Sequence, residues 1–347
     1  MKVLHILASN IFSGAENVVC QIVDMFKSEI EMAYCSPDGD IKNSLNERGI
    51  KFLPIDKLNI KNLKKVVNEY QPDIIHAHDL KAIVMVSFLS KKYKKIGHIH
   101  GNDKTKMNKM SLKSLSLKFV AKKYNHIFWV SNSCLDEYKY RKSLPNNNSI
   151  LYNIISVDNL YNKVTQDSKQ YDYDIVYLGR LSYEKNCLRL LEIAKELKQK
   201  GQKFKFAIIG AGDKEQELKD YIANNHLENE VEMLGYMRNG YKIVSQAKVM
   251  LMTSLYEGTP MCALESLALG VPIVSTKTDG LVDLIKDDYN GYLYDTNLEA
   301  VSAIVKILNN EDLRLQLNAN CKQFSQKYND IETYKDKLRK VYNSKNN

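Results

Sequence analysis

Two glutamates in the second half of the chain lie on either side of a predicted helix start. Glu257 and Glu265 are separated by seven residues in the run EGTPMCALE. Thr259 is a favourable N-cap residue, and Pro260 suits the first helical position. The first N–H groups of a helix have no partner inside it and can donate to an oxyanion or a hydroxyl. This pattern suits a ligand that carries hydroxyls and phosphate, although two solvated surface acids would give the same spacing.

A basic pair follows an earlier apolar run. In IVYLGRLSYEKN, Gly179 and Arg180 come directly after a predicted buried strand, and Lys185 lies five residues further on at a predicted helix start. A glycine there lets a ligand approach the backbone, and Arg and Lys beside a helix N-terminus form an anion site. The alternative is a strand end with two exposed bases.

Histidines form two H-x-H pairs on predicted strands, His76/His78 and His98/His100. Alternate residues of a strand share a face, so each pair could contribute to a metal site. Such a site would still need carboxylates at fixed distances, and the sequence does not locate them. The D-x-D strings Asp38–Asp40 and Asp172–Asp174 are explained by a turn and a linker. We therefore predict no metal and no cofactor.

These residues must be positioned by strands that alternate with helices. Runs such as VLHIL, DIIHA and HIFWV are apolar on both sides of the pleat, which is typical of parallel strands covered by helices. The alternation predicts an α/β protein with doubly wound sheets. We assign an N-terminal Rossmann-like domain to residues 1–156, a polar linker to 157–172 and a second such domain to 173–325. A C-terminal helix over 326–347 could cross back to the first domain.

The positive charge is concentrated in the first half of the chain. Residues 1–155 contain 24 Lys and Arg against 14 Asp and Glu, whereas residues 156–347 contain 26 against 27. In the lysine-rich segment 104–126, Leu112, Leu115 and Phe119 follow a helical period, and Lys106, Lys109 and Lys113 follow it on a neighbouring face. Such a helix can lie on an anionic membrane, with Lys118 and Lys122 also facing the lipid. The alternative is a packing helix that buries the apolar stripe and leaves its lysines in water.

Composition indicates an ordinary globular protein, with 44% hydrophobic and 26% charged residues. Six scattered cysteines are expected to be small buried residues in a reducing compartment. The sequence shows no apolar run of membrane-spanning length and no signal peptide, so we expect a cytoplasmic protein, which could also be peripheral on the inner face of the cell membrane.

Taken together, the motifs resemble family 4 glycosyltransferases of the GT-B fold, in which two Rossmann-like domains face a cleft. The resemblance rests on G-R-x4-K at Gly179–Lys185 followed by E-x7-E at Glu257–Glu265. It extends through IIGAGD, LGY and the run from SLYEGTP to DGLVDLI. In the first domain, S-G-A-E at Ser13–Glu16 resembles the family's glycine loop, although a capping box explains Ser13 and Glu16 equally well. GHIHGND resembles the family's segment around a strand-end histidine, which corresponds here to His100.

The resemblance implies roles for individual residues. Arg180 and Lys185 would hold a donor diphosphate, Glu265 would bind ribose, and His100 would position the sugar. Glu257 and the backbone of Thr259, Pro260 and Met261 would contact the sugar. Catalytic residues are therefore expected at His100, Arg180, Lys185 and Glu257. Donor-binding residues are expected at Gly14, Gly179, Arg180, Lys185, Glu257, Gly258, Thr259, Pro260, Met261 and Glu265.

The expected activity is transfer of a hexosyl or N-acetylhexosaminyl group from a UDP-sugar, with retention, to a saccharide or lipid-linked saccharide. The expected role is synthesis of cell-envelope or capsular polysaccharide, with an anionic membrane as a further partner and no nucleic acid. Two alternatives are a GT-B nucleotide-sugar epimerase and a non-catalytic nucleotide-sugar-binding protein.

Overall fold

The chain forms two compact α/β units in the computed structural model, which describes residues 1–101 and 110–345. The first unit consists of Met1–Ile154 and Ile331–Asn347, and the second of Ile155–Asp330. Each unit has one six-stranded parallel sheet and its own core of buried apolar side chains. The α/β class predicted from the alternating strands and helices is confirmed.

The first unit begins with a strand that is buried on both faces, as parallel strands covered by helices must be. The elements before the second unit are, in chain order, β1 (Lys2–Ile6), α1 (Gly14–Phe26), β2 (Glu31–Cys35), α2 (Ile41–Glu47), α3 (Ile60–Tyr70), β3 (Ile74–Ala77), α4 (Leu80–Val86), β4 (Lys94–Ile99), α5 (Leu112–Val120), β5 (His126–Trp129), α6 (Asn132–Asp136) and β6 (Asn148–Ile150). The strand order is β2-β1-β3-β4-β5-β6. The order reverses between β1 and β3, so the carboxyl ends of these strands form a topological switch point.

The second unit repeats this architecture. Its elements are, in chain order, α7 (Val157–Thr165), β7 (Ile175–Leu178), α8 (Cys187–Gln199), β8 (Phe206–Ile209), α9 (Glu215–Asn224), β9 (Val231–Gly235), α10 (Tyr241–Gln246), β10 (Val249–Met252), α11 (Met261–Ala268), β11 (Ile273–Thr276), α12 (Asp279–Val282), β12 (Gly291–Tyr294), α13 (Asn297–Asn309) and α14 (Glu311–Tyr328). The strand order is β12-β11-β10-β7-β8-β9. The switch point therefore lies at the carboxyl ends of β7 and β10, where nucleotide ligands bind in such folds.

The last helix, α15 (Ile331–Asn343), belongs to the first unit. Tyr342 on this helix is buried and its hydroxyl lies 2.9 Å from Nδ1 of His76 on β3. The buried Lys94 ammonium donates to the backbone oxygen of Tyr342 at 3.1 Å. Glu29 pairs with Lys335 and Arg339 on the same helix. The C-terminal segment is thus fastened to the sheet by buried polar contacts as well as by ion pairs.

Four local features differ from the sequence prediction. The alternation of strands and helices also predicts a strand over 51–55 and a helix over 80–92. Residues 51–55 form only isolated bridges, and the helix ends at Val86. The short, partly polar strands β6 and β12 were not predicted, because three or four residues give too little periodicity. Part of the predicted linker is the helix α7, in which Ser156 caps the N-terminus and Leu160 is buried.

Candidate active site

Basic and acidic side chains from two separate loops meet at the switch point of the second unit. Gly179 and Arg180 follow β7, and Lys185 ends a single 3₁₀ turn, Tyr183–Lys185, before α8. Glu257 lies in the loop between β10 and α11. Because β7 and β10 are neighbours in the sheet, residues 72 positions apart in sequence lie in direct contact.

Lys185 and Glu257 form a buried ion pair. The Lys185 Nζ donates to Oε1 of Glu257 at 2.6 Å, and the two side chains are only 15% and 8% exposed. The hydroxyl of Ser254 donates to the same carboxylate oxygen at 2.7 Å. Burial alone would lower the pKa of Lys185, but the Glu257 carboxylate outweighs it and the net shift is upward. Lys185 is therefore held as a cation.

Arg180 is the exposed member of the basic pair. Its side chain is 64% exposed, and one guanidinium nitrogen lies 3.0 Å from Oε1 of Glu184. Such an exposed ion pair contributes little to stability. Its guanidinium can therefore turn towards an anion at low cost.

The loop that carries Arg180 rests on a second glycine-rich loop. The Leu181 N–H donates to the carbonyl of Ala211 at 3.0 Å. A side chain at Gly210 would meet the Gly179 carbonyl at 1.8 Å, and one at Gly212 would meet the Leu181 carbonyl at 2.1 Å. The glycines of IIGAGD are thus required for the close approach of two backbones. Gly179 itself faces the Tyr177 hydroxyl, which a Cβ would approach to 2.8 Å.

The helix that contains Glu265 begins one residue later than predicted. Pro260 occupies the N-cap position with extended backbone, and α11 starts at Met261. Pro260 has no N–H in any case, so the N–H groups at the start of α11 belong to Met261 and Cys262. The preceding loop packs tightly, because a side chain at Gly280 would meet the Gly258 carbonyl at 1.3 Å. Thr259 is buried in this loop.

Glu265 is buried on α11, with 7% of its surface exposed. Its Oε1 accepts a hydrogen bond from the hydroxyl of Tyr241 at 2.8 Å. Burial raises the pKa of Glu265, and the Tyr241 hydrogen bond and the Lys163 charge oppose that rise. The sequence analysis did not identify Tyr241, because nothing in its spacing links it to a residue 24 positions away.

The first unit presents Gly14 at the first position of α1. The capping box predicted at Ser13 and Glu16 is present, and the Ser13 N–H donates to Oε2 of Glu16 at 3.1 Å. Glu16 is buried. The S-G-A-E motif therefore has a clear structural role at the start of α1.

Five histidines lie together in the same unit. His5, His76, His78 and His98 are fully buried, and His100 directly after β4 is half-buried. The rings of His76 and His78 lie 4.1 Å apart between centroids, as do those of His98 and His100. The sequence analysis missed His5, which pairs with His76 in the register of β1 and β3.

Three of these histidines form a hydrogen-bonded chain with a defined direction. His5 Nε2 lies 3.4 Å from the sulfur of Met32, which only accepts, so a neutral His5 carries its proton on Nε2. His5 Nδ1 then accepts from His78 Nε2 at 2.8 Å, and His78 Nδ1 accepts from His100 Nε2 at 3.0 Å. Burial lowers the pKa of His5 and His100 to about 3, which favours these neutral forms.

Two groups within the cluster have ligand atoms within 4.8 Å of one another, namely His5, His76 and His78, and His78, His98 and His100. Such all-imidazole groups suit zinc, copper or nickel rather than magnesium, and neither group includes a carboxylate. The expectation that no metal takes part stays a prediction.

The described part of the lysine-rich segment does not bury its predicted apolar stripe. Leu112 is 89% and Phe119 67% exposed, whereas Ser114, Leu117 and Val120 form the buried face of α5. The alternative in which the stripe packs against the sheet is therefore wrong for Leu112 and Phe119. Lys113 and Lys122 are exposed, and Lys118 lies 4.7 Å from the ring centroid of Tyr140. Lys106 and Lys109 lie outside the described residues. Among the residues described, no helix is long and apolar enough to cross a membrane.

Two doubly wound units, the second with a buried Lys185–Glu257 pair at its switch point, have the architecture of the GT-B fold. The family model described as glycosyl transferases group 1 matches residues 162–324. The model described as Glycosyltransferase Family 4 matches residues 12–159. The chain belongs to the glycosyltransferases built from these two domains, and the predicted family and enzyme class are confirmed.

Comparison with individual proteins agrees with this assignment. An uncharacterized glycosyltransferase of Methanocaldococcus jannaschii, MJ1178, is 27% identical over 85% of this chain and 81% of its own length. The UDP-Gal:alpha-D-GlcNAc-diphosphoundecaprenol alpha-1,3-galactosyltransferase of Escherichia coli is 22% identical over 99% of this chain and 96% of its own. The crystal structure of Anabaena HepE in complex with UDP-glucose has a TM-score of 0.85, 18% identity and 99% coverage of both chains. That likeness confirms the GT-B fold.

Proposed function

We propose that this protein transfers a hexosyl or N-acetylhexosaminyl group from a UDP-sugar to a saccharide acceptor, with retention of configuration. The observation that carries the proposal is the buried Lys185–Glu257 pair at the switch point of the second unit. A cation buried beside a helix start is suited to a diphosphate, and a carboxylate in contact with it is suited to sugar hydroxyls. UDP as the nucleotide is supported by the similar fold of HepE, which binds UDP-glucose.

The donor would be held by the residues that the motifs identify. Arg180 and Lys185 bind the diphosphate, and Glu257 with the backbone of Thr259 and Met261 contacts the sugar. Glu265 accepts hydrogen bonds from the ribose hydroxyls. Gly14, Gly179, Gly258 and Pro260 shape the backbone that lies against the donor.

Catalysis would be electrostatic. As the glycosidic bond to the diphosphate breaks, negative charge develops on the departing phosphate, and Arg180 and Lys185 stabilise that charge without a metal. We assign no protein nucleophile. Instead, the leaving phosphate accepts the acceptor's proton as the new bond forms on the same face of the sugar. His100 positions the sugar, with its tautomer set by the chain through His78 to His5.

The acceptor would be a lipid-linked saccharide in cell-envelope or capsular polysaccharide synthesis. Support comes from the Escherichia coli relative, whose name specifies a diphosphoundecaprenol acceptor. It also comes from the exposed apolar side chains of Leu112 and Phe119 beside exposed lysines, since an anionic membrane complements both. The protein would then act in the cytoplasm, as a peripheral protein on the inner face of the membrane.

Product analysis tests the proposed activity. A panel of UDP-, GDP- and ADP-sugars is first screened by ligand-induced thermal shift, and the binders are incubated with undecaprenyl-diphosphate saccharides. Transfer predicts free UDP in equal amount to a new alpha-linked glycoside. An epimerised donor without glycoside, or donor binding without turnover, would contradict the proposal.

A further inference from the structure

Tyr241 and Glu265 come from two helices of the second unit and are joined by a hydrogen bond. Tyr241 is the first residue of α10, and its hydroxyl donates to Oε1 of Glu265 at 2.8 Å. Across the part of the chain that the structure describes, Oε2 of Glu265 receives no hydrogen bond. One carboxylate oxygen is therefore fixed by the protein, while the other keeps its lone pairs.

A cation supports this contact from a third helix. Lys163 on α7 has its Nζ 5.1 Å from the ring centroid of Tyr241. The Lys163 carbonyl accepts from the side-chain amide of Asn239 at 2.8 Å, which ties α7 to the residues just before α10. Among the described residues, the charged and titratable groups that face Glu265 are Tyr241, Lys163 and the Cys262 thiol. Burial raises the pKa of Glu265, whereas Tyr241 and Lys163 favour its ionised form.

We propose that Tyr241 is the positioning residue for Glu265, fixing Oε1 so that Oε2 faces the cis 2′,3′-diol of a ribonucleoside diphosphate. This inference rests on the proposed function, in which Glu265 binds ribose. A carboxylate oxygen has two lone pairs and can accept from both hydroxyls at once, provided that the carboxyl group is ionised and does not rotate. With a single O–H donor, Tyr241 restricts rotation of the carboxyl group and favours its ionised form.

The test compares Tyr241→Phe with the parent protein, using UDP and 2′,3′-dideoxy-UDP as probes in calorimetric titrations between pH 5.5 and 8. Phenylalanine keeps the ring against Lys163 and removes only the hydroxyl. We expect UDP binding to weaken about fivefold to tenfold at pH 8 and further at pH 5.5. Dideoxy-UDP should bind the variant and the parent equally at every pH. UDP and dideoxy-UDP carry the same diphosphate, so comparing them at each pH also removes the effect of diphosphate titration on the measured affinity.

The matched control is Tyr161→Phe. Tyr161 donates its hydroxyl to the carbonyl of Ala268 at the end of α11, at 3.0 Å, so this variant removes a similar bond from the same helix without touching Glu265. It should keep the parent's UDP affinity and pH profile. If Tyr241→Phe lowers UDP and dideoxy-UDP affinity alike, or neither, Tyr241 has only a packing role and the inference is overturned.

Glu265→Gln separates this inference from the proposed function. Loss of UDP affinity in Glu265→Gln together with normal UDP binding by Tyr241→Phe would overturn only the role of Tyr241. Normal UDP binding by Glu265→Gln would instead remove the ribose contact on which the proposed function relies.

Discussion

The ammonium of Lys185 contacts the carboxylate of Glu257 at 2.6 Å inside the second unit, although the two residues lie 72 positions apart. In the proposed function these groups meet different parts of one donor, the diphosphate and the sugar. The two side chains neutralise each other, so Glu257 supplies a negative charge of the kind that a phosphate would bring. In the proposed function, the diphosphate of the donor would give Lys185 a further anionic partner.

Lys185→Ala should abolish turnover, because the departing diphosphate loses its buried cation. It should also lower the melting temperature, since removing one partner of a buried ion pair costs about 3–5 kcal/mol. Steady-state rates and thermal unfolding are measured together.

The double variant Lys185→Met/Glu257→Gln is the control for stability. It replaces the ion pair by neutral side chains of similar size and should recover most of the lost melting temperature without recovering activity. Near-normal turnover in Lys185→Ala would contradict the diphosphate role.

Substitutions at Glu257 and Glu265 should have different effects on the affinities for free UDP and for the UDP-sugar. Glu265→Gln should weaken both, because ribose is present in both ligands. Glu257→Gln should weaken only the UDP-sugar and leave UDP binding equal or tighter, since Lys185 is released from its carboxylate partner. Calorimetric titration measures all four affinities. An equal loss of UDP affinity in the two variants would remove the separate assignments.

The buried histidines should make the first unit sensitive to mild acid. The unfolded chain binds protons at its histidines near pH 6.5, whereas burial lowers the folded pKa of His5 and His100 to about 3 and that of His76, His78 and His98 well below 6.5. Between these limits the unfolded state binds more protons, so the free energy of unfolding falls as pH falls from about 6.5 towards 3. Each histidine contributes up to about 1.4 kcal/mol per pH unit.

Urea unfolding at pH 7.5, 6.5 and 5.5, followed by the fluorescence of Trp129 on β5, measures this dependence. His98→Asn should reduce the slope of the unfolding free energy against pH by the contribution of one histidine, up to about 1.4 kcal/mol per pH unit. His226→Asn is the control, because His226 is exposed with φ of 55°, a conformation that asparagine tolerates. A flat stability between pH 7.5 and 5.5 would show that the histidines are already charged or exposed.

The sequence was sufficient to predict elements whose signals are local. Runs that are apolar on both sides of the pleat identified β1, β3 and β5, and the G-R-x4-K and E-x7-E spacings identified Lys185, Glu257 and Glu265. It could not predict which of them touch, because the Lys185–Glu257 contact depends on β10 inserting beside β7 rather than beside β9. His5 and Tyr241 were missed because each contacts its partner, His76 and Glu265 respectively, only in the folded chain.

The predicted element boundaries and buried faces were wrong where local sequence preferences and tertiary packing compete. Residues 157–165 are polar and carry little periodicity, yet burial of Leu160 and the cap at Ser156 are enough to form α7. The stripe on α5 followed a helical period, but Leu117 and Val120 form the buried face instead. A pattern of spacing shows that a face is apolar and does not show what covers it.

The exposed side of α5, together with the 3₁₀ turn Ala121–Lys123 that follows it, should bind anionic vesicles. Its apolar side chains, Leu112 and Phe119, would enter the interface while Lys113, Lys122 and Lys123 meet the headgroups, each contributing about 1 kcal/mol. Flotation with phosphatidylglycerol vesicles should therefore weaken with added salt, since charges are screened over about 8–10 Å at 0.1–0.15 M. Lys113→Glu/Lys122→Glu/Lys123→Glu should abolish flotation and preserve transfer to a short soluble acceptor.

The control changes the same charge elsewhere in the same unit. Lys61, Lys64 and Lys65 are exposed on α3, so their triple replacement by glutamate tests whether net charge alone drives binding. That variant should still float, because the apolar side chains of α5 and the lysines beside them are intact. Leu112→Ser/Phe119→Ser should lose the salt-resistant part of the binding. The proposed membrane-binding element would be wrong if the Lys113/Lys122/Lys123 variant floats as well as the parent. It would also be wrong if the Lys61/Lys64/Lys65 variant loses as much flotation as that variant does.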